Sequence, residues 1–184
     1  MTALTALTAP IGPLVVIGLG NVLLRDDGVG VRVVEALRRE AGTNPDRLPE
    51  DTRLVDGGTL GLGLLGELDG ARGLLLVDAV DLDLAPGTVI VRDAAELAAA
   101  GPSSLRGLAE LVGSARMLGL LPDAVALIGI QLGEISVDLA LSPAVASALP
   151  AAVDIAAAEL WRLDAVARHE TGSVARTAPV GVGR

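Results

Sequence analysis

The chain alternates short, continuous apolar runs with amphipathic stretches, the pattern of strands buried on both faces and separated by helices. Residues 14–18 (LVVIG) are apolar and β-branched and read as a buried strand. Residues 27–40 follow with Val33, Val34 and Leu37 apolar and Arg32, Glu35, Arg38 and Arg39 charged, which is helical spacing. The same order recurs: residues 52–55 as a strand, then Asp56-Gly57-Gly58-Thr59, then a leucine-rich helical segment over residues 60–68. Residues 73–78 (GLLLVD) form the most strongly apolar run and read as a central strand ending on an acid. Residues 88–92 follow across the turn signal Ala85-Pro86-Gly87, close enough to form an antiparallel neighbour. Leu105, Leu108, Leu111, Val112, Ala115 and Leu118 again recur at helical spacing, and residues 125–131 read as the last strand. Ser142 stands as an N-cap with Pro143 at the first helical position, opening a helix expected to reach about Leu163 with a kink or break near Pro150.

Five strands alternating mostly with helices predict an α/β three-layer sandwich around a mostly parallel, mixed five-stranded sheet. No internal repeat and no inner boundary is visible, so residues 13–164 are expected to form one domain. The small and polar flanks, residues 1–12 and 165–184, are expected to be flexible tails.

Composition narrows the chemistry. Of 184 residues, 51% are apolar, yet Phe and Tyr are absent and Trp161 is the single aromatic, so the core must be built from Leu, Val, Ile and Ala. Without stacking aromatics, and with a formal charge of −9, the chain is a poor partner for nucleic acid. The absence of cysteine excludes disulfides, thiolate nucleophiles and cysteine-based zinc or iron–sulfur sites. The first twelve residues lack the basic start and apolar stretch of a secretory signal, and no apolar run reaches membrane-spanning length uninterrupted. A cytoplasmic protein with no membrane partner is expected.

Chemistry-bearing residues gather where strands end. Gly18-Leu19-Gly20-Asn21 leads into Arg25-Asp26-Asp27-Gly28-Val29-Gly30 at the C-terminal end of the first strand, where open α/β sheets build their sites. A dinucleotide fingerprint would require glycine at position 23, which is Leu23, and two acids before the helix would repel a pyrophosphate. Asp26 and Asp27 admit two readings: caps for the orphan amides of the helix, or, for Asp27, a side chain facing the mouth of the sheet. Asp78 closes its apolar strand and is either a functional carboxylate or one satisfied by loop amides. Asp56-Gly57-Gly58-Thr59 is either a peptide-holding backbone or a tight turn. Asp81 and Asp83 read as solvated loop acids. A doubly wound order would bring Asp27, Asp56 and Asp78 toward one rim, forming an acidic cleft for a cation or a metal-bearing partner.

The segments GLGNVLLRDDGVGVRVVEAL, VDGGTLGLGLL, LLLVDAVD, APGTVIVRD and VALIGIQ, in this order over residues 14–163, resemble the NiFe-hydrogenase maturation endopeptidases. The resemblance implies a single α/β domain that removes the C-terminal extension of a hydrogenase large-subunit precursor after nickel insertion, with the substrate's nickel as the recognition element. Carried over by residue, the family's two acidic metal contacts fall on Asp27 and Asp78, which become the catalytic and metal-contacting candidates. Gly20, Asn21, Asp56, Gly57, Gly58 and Thr59 are candidates for holding the substrate. The family's third contact is a histidine, and the register set by Gly107 and Leu108 puts Ser104 at its place. Imidazole is a good nickel ligand and a neutral hydroxyl a poor one, so two carboxylates alone favour harder ions. The only histidine, His169, lies in the C-terminal flank, either as a solvated residue or folded back over the site. The departure at Ser104 leaves open a non-cleaving assembly factor that binds the precursor or its nickel site.

Overall fold

The computed structural model describes residues 12–93 and 106–174. Five strands, β1 (Leu14–Leu19), β2 (Thr52–Gly58), β3 (Gly73–Val80), β4 (Val89–Asp93) and β5 (Ala124–Gln131), form one sheet in the order β2-β1-β3-β5-β4. The first three pairings are parallel, and β4 runs antiparallel to β5. Helices α1 (Val29–Thr43), α2 (Arg106–Met117) and α3 (Pro143–Val174) cover the sheet. The mixed five-stranded sandwich predicted from the apolar pattern is the one observed.

Side-chain alternation sorts the core into two layers. Leu14, Val16, Leu75, Val77, Ala126 and Ile128 face α1 and α3, meeting Val33, Leu37, Val153 and Leu160. Val15, Ile17, Leu74, Leu76, Val125 and Leu127 face the other way, onto Leu64, Leu68, Leu108 and Leu111. The central strands are therefore apolar on both faces, which is why they appear in the sequence as unbroken runs.

Three local readings need correction. Residues 61–68 form a 3-10 segment rather than an α-helix, because Gly61, Gly63 and Gly66 lower helix propensity and Gly61 adopts φ +52°. β4 is not the neighbour of β3: the intervening chain passes over β5, which pairs with both. Gln131, 4% exposed, holds that crossing by accepting the Leu82 amide on Oε1 at 2.8 Å and donating to Asp81 at 3.3 Å. The last helix does not stop near Leu163 but runs without a break through Pro150 to Val174. Past Leu163 it remains anchored, since Ala167 is buried and Asp164 binds Arg72 at 2.9 Å and Arg168 at 2.7 Å. Burial alone would raise the Asp164 pKa, but Arg168 and Arg72 more than offset it and hold the carboxyl below its usual range. The Pro143–His169 stretch is long and apolar enough to cross a membrane, but its apolar side packs on the sheet as a core helix. Trp161 stands on the outer side of this helix, 48% exposed.

The glycines around β1 set how closely α1 approaches the sheet. A methyl group on Gly30 would stand 2.2 Å from the Val77 carbonyl oxygen and 2.5 Å from that of Leu19. Gly30→Ala is therefore expected to lower stability by about 1–3 kcal/mol, the usual cost of overpacking. Urea unfolding should show a lower midpoint with an unchanged slope, and an unaltered midpoint would mean that α1 is free to shift away.

Candidate active site

The C-terminal ends of β1, β2 and β3 open into a cleft of about 270 Å³ whose polar wall is Gly20, Asp27, Gly58, Thr59 and Asp78. Leu19, Gly61, Leu108 and Leu111 complete the lining. The two acids reach it from different elements. Asp78 shares its face of β3 with Leu74 and Leu76, and so points toward α2. Asp27 arrives from the 3-10 turn Arg25–Gly28 that joins β1 to α1.

Local chain geometry aims Asp27. Gly20 takes φ +112°, and a side chain there would collide with the Asp27 carbonyl oxygen at 1.7 Å, so only glycine lets the turn fold back this tightly. The turn is closed by the Leu24 amide donating to the Asn21 carbonyl at 2.9 Å and the Leu23 amide donating to the Asn21 side chain at 3.0 Å. The Asn21 amide then donates to Asp27 Oδ2 at 2.7 Å, fixing the carboxylate over the strand ends.

The adjacent acids turn out to have opposite jobs. Neither caps a helix through its side chain. Asp26 is fully buried and accepts four hydrogen bonds from the chain between β5 and α3: the Gly133 and Glu134 amides at 2.9 Å, and the Ser142 amide and hydroxyl at 2.7 Å. Burial by itself would raise its pKa, but the Ser142, Glu134 and Gly133 hydrogen bonds prevail and hold it below the usual carboxylate range. Ser142 keeps the position of an N-cap, its carbonyl accepting the Ala146 amide at 2.8 Å, yet spends its hydroxyl on Asp26.

Asp78 is poised differently. Burial pushes its pKa up to about 7, opposed by one hydrogen bond from the Ala79 amide at 2.8 Å and reinforced by the charge of Asp27. Among the described residues only one oxygen of each cleft acid has a donor, Oδ2 of Asp27 and Oδ1 of Asp78. Asp27 and Asp78 thus line one small cleft within reach of each other's charge, an arrangement that a bound cation would stabilise. No group of three His, Cys, Asp or Glu residues able to enclose a metal exists among the described residues.

Of the other sequence candidates, Gly20, Gly58 and Thr59 line the cleft, while Asn21 acts on it through Asp27. Gly57 is buried against β1, 2.6 Å from the Ile17 methyl if given a side chain, and Asp56 is exposed on β2 outside the lining. Ser104 lies outside the described residues. His169 is exposed on α3 beyond the Arg72–Asp164 pair, at the end of the sheet opposite the cleft, and does not fold over the site. Leu108 and Leu111 were legible only as core positions of a helix, and the Asp26 latch carried no local signal because its partners lie more than a hundred residues away.

Known proteins give this cleft a context. The family model described as hydrogenase maturation protease matches residues 31–159. The hydrogenase expression/formation protein HupD of Rhodobacter capsulatus is 39% identical over 157 residues, covering 81% of this chain and 72% of its own length. The hydrogenase 2 maturation protease of Escherichia coli (strain K12) is 32% identical over 146 residues, covering 77% and 86%. The solved structure of the hydrogenase maturating endopeptidase HybD from E. coli superposes with a TM-score of 0.71 at 30% identity, covering 82% of this chain and 93% of that one. Sequence and fold agree, and the chain belongs to the hydrogenase maturation protease family, whose members are peptidases.

Proposed function

We propose that this peptidase acts in the cytoplasm as an endopeptidase that removes the C-terminal extension of a NiFe-hydrogenase large-subunit precursor after nickel insertion. Nickel belongs to the substrate, and Asp27 and Asp78 grip it transiently. The observation that carries this reading is the pair of carboxylates, one from the turn after β1 and one from the end of β3, lining one cleft, each with a donor on only one oxygen among the described residues. Among the described residues the cleft offers two acids, which suffice to contact a metal that arrives with its own ligands. The Gly58–Thr59 backbone beside them suits an extended substrate segment. Metal contact at the scissile carbonyl would supply Lewis-acid polarisation there, while the chain's own residues orient the segment and carry the negative charge that offsets the metal.

The test mixes the purified protein with precursor in nickel-loaded and nickel-free forms and follows precursor mass. Loss of a C-terminal peptide only from the nickel-loaded form is expected. Equal cleavage of both forms would remove nickel from the reading. Binding without cleavage would make the protein an assembly factor.

A further inference from the structure

Among the described residues twelve large apolar side chains are exposed, and eight of them stand on the four loops leaving the C-terminal ends of β1, β2, β3 and β5. The opposite rim of the sheet carries Met117 and Leu118. The densest group is on the loop after β5, where Ile135, Val137 and Leu139 are 55%, 89% and 63% exposed, beside Leu23 at 57%. We propose, building on the substrate assigned above, that residues 133–142 together with Leu23 form a preformed docking surface. Its occupant is the folded body of the precursor, at an aliphatic patch edged by basic residues, and not the extension peptide.

The loop's construction supports this. Its apolar side chains bury little, yet the loop is held by polar contacts: three backbone amides and the Ser142 hydroxyl to Asp26, the Arg25 amide to the Asp138 carbonyl at 3.0 Å, and the Asp138 amide to the Leu23 carbonyl at 3.2 Å. Arg32 adds a bond to the Leu139 carbonyl at 3.2 Å. A surface already ordered loses little entropy when a partner seats on it. Charge defines the partner's edge. The loops after β3 and β5 present Asp81, Asp83, Glu134 and Asp138, and the two cations beside the patch are already engaged, Arg25 by Glu134 at 3.4 Å and Asp138 at 3.0 Å and Arg32 by Glu35 at 3.0 Å. A complementary surface therefore brings its own Lys or Arg.

Position ties the surface to the chemistry. Leu23 belongs to the turn that carries Asp27, and Asp26, which pins the loop, is the residue before it. A cleft of about 270 Å³ has room for a short segment of chain, so contacts with the body of a protein fall outside it.

The test compares the wild type with a Val137→Ser/Leu139→Ser variant and a Met117→Ser/Leu118→Ser control. Each is assayed for binding to nickel-loaded precursor and to a synthetic peptide spanning the cleavage junction. The loop variant should bind the precursor about tenfold more weakly or worse, as expected for truncating central apolar contacts. Its peptide affinity and melting temperature should match the wild type, and the control should bind like wild type throughout. Undiminished precursor binding by the loop variant, an equal loss in the control, or an equal loss toward the free peptide would overturn the proposal. Should the wild type bind precursor through this loop without cleaving it, the peptidase reading fails and the docking surface stands. Should the wild type cleave while the loop variant cleaves with unchanged KM, the reverse holds.

Discussion

Asp78→Asn is expected to abolish precursor cleavage while making the free protein more stable at neutral and alkaline pH. The Asp78 pKa of about 7 lies above the ordinary aspartate value of 3.8, chiefly through burial. Between those two values the folded state holds a proton that the unfolded chain has released, so the Asp78 contribution to stability falls as pH rises through that window and levels off above about 7. Each pKa unit is worth about 1.4 kcal/mol, so ionised Asp78 imposes a cost of a few kcal/mol on the metal-free fold. Asparagine is isosteric and neutral and removes that cost. Thermal melts at pH 8 should show Asp78→Asn about 3 °C or more above wild type, with the gap closing toward pH 4. Cleavage of nickel-loaded precursor should fall by about 100-fold or more, the scale on which an electrostatic group acting on the reacting centre is lost. A variant that retains cleavage removes Asp78 from the chemistry, and one that melts below wild type at pH 8 shows that the carboxylate is structural.

Asp26→Ala should have the larger effect on stability, although its side chain never reaches the cleft. Removing the carboxylate strands the buried amide and hydroxyl of Ser142 and the part-buried amides of Gly133 and Glu134. Losing one side of a buried, charge-assisted cluster costs about 3–5 kcal/mol, which lowers the melting temperature of a domain this size by about 10 °C or more. Because the folded pKa of Asp26 is depressed, its contribution is present above 3.8 and fades as pH falls through the lower folded value, so wild type and variant should converge only in strong acid. Limited proteolysis gives a local reading: cuts within residues 132–142 should appear in the variant first. A melting temperature within about 2 °C of wild type would show that the loop is held by other contacts.

These two acids show how far the sequence could be read. Asp78 was legible because an unbroken apolar strand ending on a carboxylate leaves that group at the sheet's carboxyl rim whatever the strand order. Asp27 was legible as the acid at the mouth of the sheet, since two adjacent acids before a helix diverge, but what its neighbour Asp26 binds depended on the chain after β5. Long-range partners were the blind spot. Asp26 finds Ser142, Arg72 finds Asp164, and β5 slips between β3 and β4, all across separations on which local pattern is silent. The same cause explains why the last helix outran its predicted end: past Leu163 it is anchored by the Arg72–Asp164 pair, whose members are far apart in sequence. The 3-10 segment at residues 61–68 differs, because its glycines were visible in the sequence and were outweighed by the leucine periodicity.

Trp161 carries a practical consequence for spectroscopy. With Phe and Tyr absent, its indole is the protein's sole ultraviolet chromophore of note, and emission arises from a single site with no energy transfer to correct for. Since that indole sits half-exposed on α3, away from the residues that line the cleft, its fluorescence should be nearly silent when a substrate segment enters. A tryptophan placed at Val137 in a Trp161→Leu background would move the lamp to the rim, where a change in emission on adding precursor reports contact directly.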